Sequence, residues 1–213
     1  MGWVFGCLLL FAAYLLGAIP TGYLVTRAIK GIDIREHGSG NTGATNVFRV
    51  VGKKAGLAVL IIDLLKGLLA VLLVKFILLT IATDYPQLAN ALPWWITGAG
   101  LLAIVGHSRS IWLNWTGGKS AATGLGVLLA LHWPAALGAV GIFGLTLALF
   151  RIVSLGSIAA AIAAVVLMVA FKQPLPYILL AIAGSFYVIL RHRTNIQRLL
   201  AGTEPRLGSG ASS

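Results

Sequence analysis

Between two long apolar stretches lies a polar run, Gly38-Ser-Gly-Asn-Thr-Gly-Ala-Thr-Asn-Val-Phe-Arg49, that contains no acid. Its glycines, Gly38, Gly40 and Gly43, let backbone N–H groups approach a ligand closely. Ser39, Thr42 and Thr45 add hydroxyls, Asn41 and Asn46 add amides, and Arg49 adds a fixed positive charge. Residues of these types hold anions, phosphate above all. A second run, Gly106 to Ser120, sets Gly117, Gly118 and Lys119 just before an apolar segment. Backbone amides at a helix N-terminus, joined by an ammonium group, form an anion site through the helix dipole and through hydrogen bonds. The two runs read as two phosphate clamps. The plainer readings are a flexible connector and a basic membrane anchor. A connector has no use for Asn41, Thr42, Thr45, Asn46 and Arg49, and an anchor has none for a glycine pair.

Neither run is a nucleotide motif. Gly38 to Gly43 fits G-x-G-x-x-G and Asp63 follows twenty residues later, but no strand precedes the glycines and Asp63 sits in an apolar helix. The second run would need glycine at Leu113 to be a P-loop. Asp63 and Lys66 share one helix face, about 10 Å from Gly56 along the axis. They read equally as functional ionisable groups or as a structural ion pair that also hydrogen-bonds a loop. Two further polar turns hold Ser154, which competes as a helix cap, and Arg191-His192-Arg193-Thr194-Asn195. The five acids, Asp33, Glu36, Asp63, Asp84 and Glu204, are scattered, and Cys7 is the only cysteine. No metal site, cofactor or disulfide is expected. No histidine has aspartate five positions on, so an enzyme here would rely on phosphate clamps and an already activated substrate.

The elements that must position these groups are membrane helices. The chain of 213 residues is 59% hydrophobic and only 10% charged, with mean hydropathy +0.96. The pattern predicts an all-α polytopic membrane protein with seven transmembrane helices: Trp3 to Val25, Gly56 to Ile81, Leu88 to Val105, Ala121 to Leu131, Pro134 to Phe150, Ser154 to Phe171 and Pro176 to Leu190. Turns are expected at Thr83-Asp84-Tyr85-Pro86, His132-Trp133-Pro134 and Lys172-Gln173-Pro174. The fourth segment would cover only about 17 Å as a helix, so it either starts earlier or is a half-helix. Thirteen of the 16 Lys and Arg fall on one side of this arrangement. That side is expected to be the cytoplasm, with the N-terminus outside and the C-terminus inside. Residues 1–206 form one membrane domain, and the tail 207–213 is expected to be disordered. The net charge of +11 is spread between apolar spans, which argues against a nucleic-acid partner.

Five segments in order carry a resemblance: His37 to Arg49; Asp63-Leu-Leu-Lys-Gly67; Gly106-His107 with Gly117-Gly-Lys-Ser-Ala-Ala-Thr123; Val153-Ser-Leu-Gly-Ser157; and Arg191 through Glu204. Together they resemble the bacterial acyl-phosphate glycerol-3-phosphate acyltransferases over nearly the whole chain. The resemblance implies a seven-span inner-membrane enzyme that moves a fatty acyl group from acyl phosphate to the 1-hydroxyl of glycerol 3-phosphate, giving lysophosphatidic acid and phosphate. It implies catalytic roles for Ser39, Arg49, Lys119, Ser154, His192 and Asn195, with Gly40, Asn41, Thr42, Asn46, His107, Gly117 and Gly118 binding substrate. Membrane lipids, and the soluble enzyme that makes acyl phosphate, are the partners it suggests. The chain departs from the family pattern at Arg109-Ser110, where an aromatic-proline pair is usual, and at Trp115-Thr116, where Phe-Lys is usual. The competing classes are an organophosphate transporter built on the same loops and a basic membrane scaffold.

Overall fold

The computed structural model describes residues 2–81, 88 and 90–208. The turn expected at Thr83 to Pro86 and the tail residues 209–213 lie outside the described residues. The described residues form helices α1 (Gly2–Ala18), α2 (Thr21–Lys30), α3 (Ala44–Val50), α4 (Lys53–Thr80), α5 (Leu92–Ser108) and α6 (Ala121–Leu131). These are followed by α7 (Trp133–Phe150), α8 (Val153–Ala170), α9 (Leu175–Arg191) and α10 (Arg193–Leu200). Short 3-10 turns occupy Ile34–Glu36 and Ile111–Leu113, and no strand occurs among the described residues. Among the described residues, four helical stretches are long and apolar enough to cross a membrane: Trp3–Lys30, Lys53–Thr80, Trp133–Phe150 and Val153–Ala170. The pair Leu175–Arg191 and Arg193–Leu200, bent by 60°, makes a fifth if counted as one span.

The segment expected as one helix from Trp3 to Val25 is broken after Ala18 and restarts at Thr21. Pro20 lacks the N–H that would continue the ladder and forces the residue before it out of helical geometry. The break is stabilised from α4: Lys66 Nζ donates to the Ile19 carbonyl at 2.8 Å and lies 2.9 Å from Asp63 Oδ1. The buried Asp63–Lys66 pair thus ties a loop to a helix, and Asp63 also lines the cavity described below. A second difference is α3. The polar run is not loop throughout: from Ala44 it winds into a short helix, and this fixes where Arg49 stands.

The long helix α4 is the mast on which α1, α3, α5 and α6 pack. In lipid the helices gain little from hiding apolar surface, so close backbone contact carries the packing. The α4/α6 crossing shows this directly. A Cβ on Gly67 would sit 2.1 Å from the Thr123 carbonyl oxygen, and one on Gly126 would sit 1.9 Å from that of Leu64. The core between α1, α4 and α5 is filled by residues such as Val71, Val74, Leu78, Ile96 and Ala99. A separate cluster around Ala136, Ala139 and Met168 joins α7 and α8. Large apolar side chains such as Phe76, Leu149 and Phe186 remain exposed, as a hydrocarbon solvent allows.

Candidate active site

The six residues expected to be catalytic come together. Ser39, Arg49, Lys119, Ser154, His192 and Asn195 line the polar end of one cavity of about 400 Å³. Asn41, Asn46 and His107 lie on the same wall. Gly40, Thr42 and Gly117 do not: they line a second, polar cavity of about 340 Å³ beside Asp33, Arg35 and Glu36. The loop that begins at Gly38 is thus a partition, with Ser39, Asn41 and Gly43 facing the larger space and Gly40 and Thr42 the smaller. Gly118 lines neither.

Asn46 explains how the loop holds this shape. It is 2% exposed, and its Oδ1 accepts from the Ser39 amide at 2.9 Å. Its Nδ2 donates to the carbonyls of His37 and Asn41, each at 2.9 Å. Asn41 Oδ1 accepts from the Gly43 amide at 2.8 Å, which turns the chain into α3. Asn41 and Asn46 therefore spend most of their amide capacity on the backbone, building the wall that presents Ser39 and Arg49. Arg49, on the last turn of α3, is exposed, and its guanidinium makes no hydrogen bond to protein among the described residues.

The second loop is stapled in a similar way. Ser108 Oγ donates to the Gly118 carbonyl at 2.9 Å and lies 2.6 Å from Ser120 Oγ. Arg191 Nη2 donates to the carbonyls of Gly117 and Gly118, each at 3.3 Å. The Gly118 amide donates to the His107 carbonyl at 3.1 Å. The expected pair of free glycine amides is thereby corrected: the Gly118 N–H is already used to fold the loop, and the charged group this loop presents to the cavity is Lys119. His107 lines the cavity and also backs the loop. Its ring, 3.5 Å from Asp63 Oδ1, packs against Gly118, where even a Cβ would come within 2.0 Å of Nε2.

The third part of the site comes from α8, α9 and α10, and includes two residues that sequence reasoning missed. The Glu204 carboxylate accepts hydrogen bonds from Ser154 Oγ at 2.7 Å, Asn195 Nδ2 at 2.6 Å and Arg198 Nε at 2.7 Å. Its side chain is 5% exposed. Lys119 Nζ donates to Asn195 Oδ1, so Lys119, Asn195, Glu204 and Ser154 form one connected chain. An acid inside a phosphate-suited site runs against charge logic, so composition alone concealed it; the signal available was the Arg198-to-Glu204 segment. The tail continues past it, and the Leu207 amide donates to the Arg151 carbonyl at 2.7 Å.

The electrostatics suit anion capture. Burial, then the neighbouring Arg198, Arg191 and Arg49, pull the Lys119 ammonium down to about 8, against the opposing pull of Glu204. Its charge is poorly solvated and its hydrogen-bond partner is the neutral Asn195 amide, an environment in which an anion alongside would be stabilising. Burial likewise brings His192 down to about 4. Its Nδ1 lies 2.8 Å from the Val188 carbonyl, so the neutral ring donates there and keeps Nε2 as an acceptor. Glu204 is held below the usual glutamate value by its bonds to Asn195, Ser154 and Arg198, which outweigh its burial.

Below the polar end, the same cavity continues between α6, α7, α8 and α9, walled by residues such as Leu125, Leu128, Ala160, Ala164 and Ala181. The class so defined is a helical membrane protein whose cation-bearing pocket opens into a hydrocarbon-lined groove. Known proteins agree. The glycerol-3-phosphate acyltransferase family matches residues 7–202, and the chain belongs to that family. It is 56% identical over 202 residues to the glycerol-3-phosphate acyltransferase of Trichormus variabilis, covering 92% of this chain and 89% of the relative. It is 55% identical over 208 residues to that of Rippkaea orientalis, covering 98% and 95%. The crystal structure of PlsY, an integral membrane glycerol 3-phosphate acyltransferase, in its glycerol 3-phosphate form superposes with a TM-score of 0.85 at 37% identity, covering 96% of each chain. The lysophosphatidic acid form of PlsY superposes with a TM-score of 0.81.

Proposed function

We propose that this protein transfers a fatty acyl group from acyl phosphate to the 1-hydroxyl of glycerol 3-phosphate, releasing lysophosphatidic acid and inorganic phosphate. The observation that carries the reading is the single cavity in which Lys119, Arg49, Ser154, His192 and Asn195 stand at the mouth of an apolar groove. Acyl phosphate is a mixed anhydride, so the protein's task is to align two anions and stabilise charge rather than to activate a carboxylate. Lys119, with Ser154, takes one phosphate and Arg49, with Ser39, the other; the apolar groove that continues from Ser154 along α8 supports giving the acyl phosphate to Lys119 and Ser154. The hydroxyl oxygen attacks the acyl carbon, the C–O bond to phosphate breaks, and the hydroxyl proton must find a base. Two groups at the site can accept it, the His192 Nε2 left free by the Nδ1 contact with the Val188 carbonyl and a substrate phosphate.

The seven-span topology, with the basic loops and the C-terminus in the cytoplasm and the protein in the bacterial inner membrane, belongs to the same proposal, as does a soluble supplier of acyl phosphate. So does the single membrane domain over residues 1–206. The test is purified protein given acyl phosphate and labelled glycerol 3-phosphate in chelator. Labelled lysophosphatidic acid is expected. Carriage of unmodified glycerol 3-phosphate into sealed liposomes, with no acylated product, would instead establish the transporter.

A further inference from the structure

We propose that Arg191 is a positioning residue for the transfer, a clasp that keeps Gly117 and Gly118 in register with the α9–α10 bend while Lys119 leaves its protein partner to hold phosphate; this rests on the acyl-transfer reading above. The loop and the bend are joined twice. Lys119 Nζ donates to Asn195 Oδ1, and Arg191 Nη2 donates to the carbonyls of Gly117 and Gly118, each at 3.3 Å. A substrate treats the two joints differently. Phosphate at Lys119 competes with a neutral amide acceptor, and a charged acceptor makes the stronger bond. Arg191 does not line the cavity and is bonded to peptide carbonyls, which offer an anion nothing. Its joint therefore remains when the first one opens.

The surroundings of this side chain call for an arginine. It is half-buried in the last turn of α9, where the helix dipole favours a cation. No carboxylate pairs with it among the described residues, and its Nε is buried without a hydrogen-bond partner. A cation held in this way is desolvated without the usual compensation, so packing alone gives no reason for it. The loop does give one. A planar guanidinium carries its donors in a fixed fork, and here one terminal nitrogen spans two successive carbonyls. His192 follows directly and Asn195 lies one turn further, so Arg191 ties the loop to two groups that line the cavity.

Bonding to carbonyls holds the guanidinium without cancelling its charge. Burial first, then Arg198, Arg191 and Arg49, bring Lys119 to about 8, with Glu204 pulling the other way. Arg191 thus acts on Lys119 in two separable ways: the fork sets its position and the charge its proton affinity. The other charged or titratable groups that line the cavity with Lys119 are Arg49, Asp63, His107, His192, Arg198 and Glu204. A substitution at 191 leaves all of them in the chain.

The test pairs turnover with a direct titration of Lys119. In the wild type, Arg191→Gln and Arg191→Lys, kcat/KM for lysophosphatidic acid formation is measured against pH, with thermal melting as the check on folding. In parallel, pulses of acetic anhydride over the same pH range, read as acetylation at Lys119 by peptide mass spectrometry, titrate its ammonium without turnover. Arg191→Gln should lower kcat/KM by about a hundredfold, the cost of a misplacement near 1 Å. It should also move the alkaline limb and the Lys119 acetylation curve to higher pH, because a neighbouring cation has gone. Arg191→Lys keeps the charge without the fork, so both curves should stay at the wild-type pH while kcat/KM falls by about tenfold. A folded Arg191→Gln whose acetylation curve matches the wild type overturns the proposal, since a mere brace would lower the rate and leave that curve in place. So does Arg191→Lys at the wild-type rate, a result that decides the matter even if Arg191→Gln does not fold. A wild type that makes no lysophosphatidic acid refutes the acyl-transfer reading, a separate result, and the acetylation curves still decide whether Arg191 acts on Lys119.

Discussion

The second loop offers a change as small as one methyl group. In Gly118→Ala the new Cβ would lie 2.0 Å from His107 Nε2 and within 2.9 Å of two ring carbons, where ordinary contact begins at 3.4 Å. Something must move by about 1.4 Å, the difference between those contact distances. The ring is the worse candidate, since it is buried and its Nδ1 lies 3.5 Å from the Asp63 carboxylate, itself paired with Lys66. The loop therefore yields, and it carries Lys119 on the very next residue. A misplacement of about 1 Å at a positioning group costs on the order of a hundredfold in rate, about 2.7 kcal/mol of barrier. The fold should survive, because relieving one overpacked methyl costs only about 1–3 kcal/mol. The assay is kcat/KM for lysophosphatidic acid formation, with thermal melting as the check on folding. Gly141→Ala, where nothing lies within 4 Å of the added carbon, is the control and should match the wild type. If Gly118→Ala also stays within threefold of the wild type, the packing of this loop on His107 does not position Lys119 and the reasoning fails.

Lys119→Ala should lower kcat/KM by at least a hundredfold, the usual cost of one preorganised charge donor. In the wild type, kcat/KM should decline as pH rises through about 8, because the clamp needs the ammonium form and burial has lowered its affinity for the proton; Lys119→Arg, if active, should lose that decline. Stability of the ligand-free protein should rise over the interval from about 8 to the ordinary lysine value, since there the unfolded chain binds the proton that the folded chain has released. His192 acts on the acid side: its folded value of about 4 lies below the ordinary 6.5, so stability should fall as pH drops between those values. Denaturation profiles of His192→Gln, lacking that dependence, would check it. Glu204→Ala leaves Ser154, Asn195 and Arg198 without their acceptor and should destabilise by about 1–3 kcal/mol. An unchanged melting temperature would show that the carboxylate is not the brace it is taken to be.

Much of this was legible in the sequence because membrane helices announce themselves by composition. Ala121–Leu131 has the same bounds in both readings, and α7, α8 and α9 differ from expectation by one residue at each end that differs. The break at Pro20 was hidden because hydropathy runs through it unbroken, and only the tertiary bond from Lys66 to Ile19 makes a broken helix comfortable there. Residue type singled out Ser39, Arg49 and Lys119, and all three line the cavity. It could not separate a ligand from a brace: Asn46 has the chemistry to hold phosphate but spends it on three loop groups. Nor could it find Glu204, since nothing in a linear reading brings an acid from the C-terminal end against Ser154, fifty residues earlier.

The central claim is that one cavity joins an acyl phosphate to glycerol 3-phosphate. Product stoichiometry tests it most directly: purified protein, acyl phosphate and glycerol 3-phosphate in chelator, with lysophosphatidic acid and inorganic phosphate counted together. The account predicts one phosphate released for each acyl group transferred, and both signals lost together in Lys119→Ala. Phosphate release that proceeds without glycerol 3-phosphate, or acyl transfer that requires a thioester donor and ignores acyl phosphate, would contradict it.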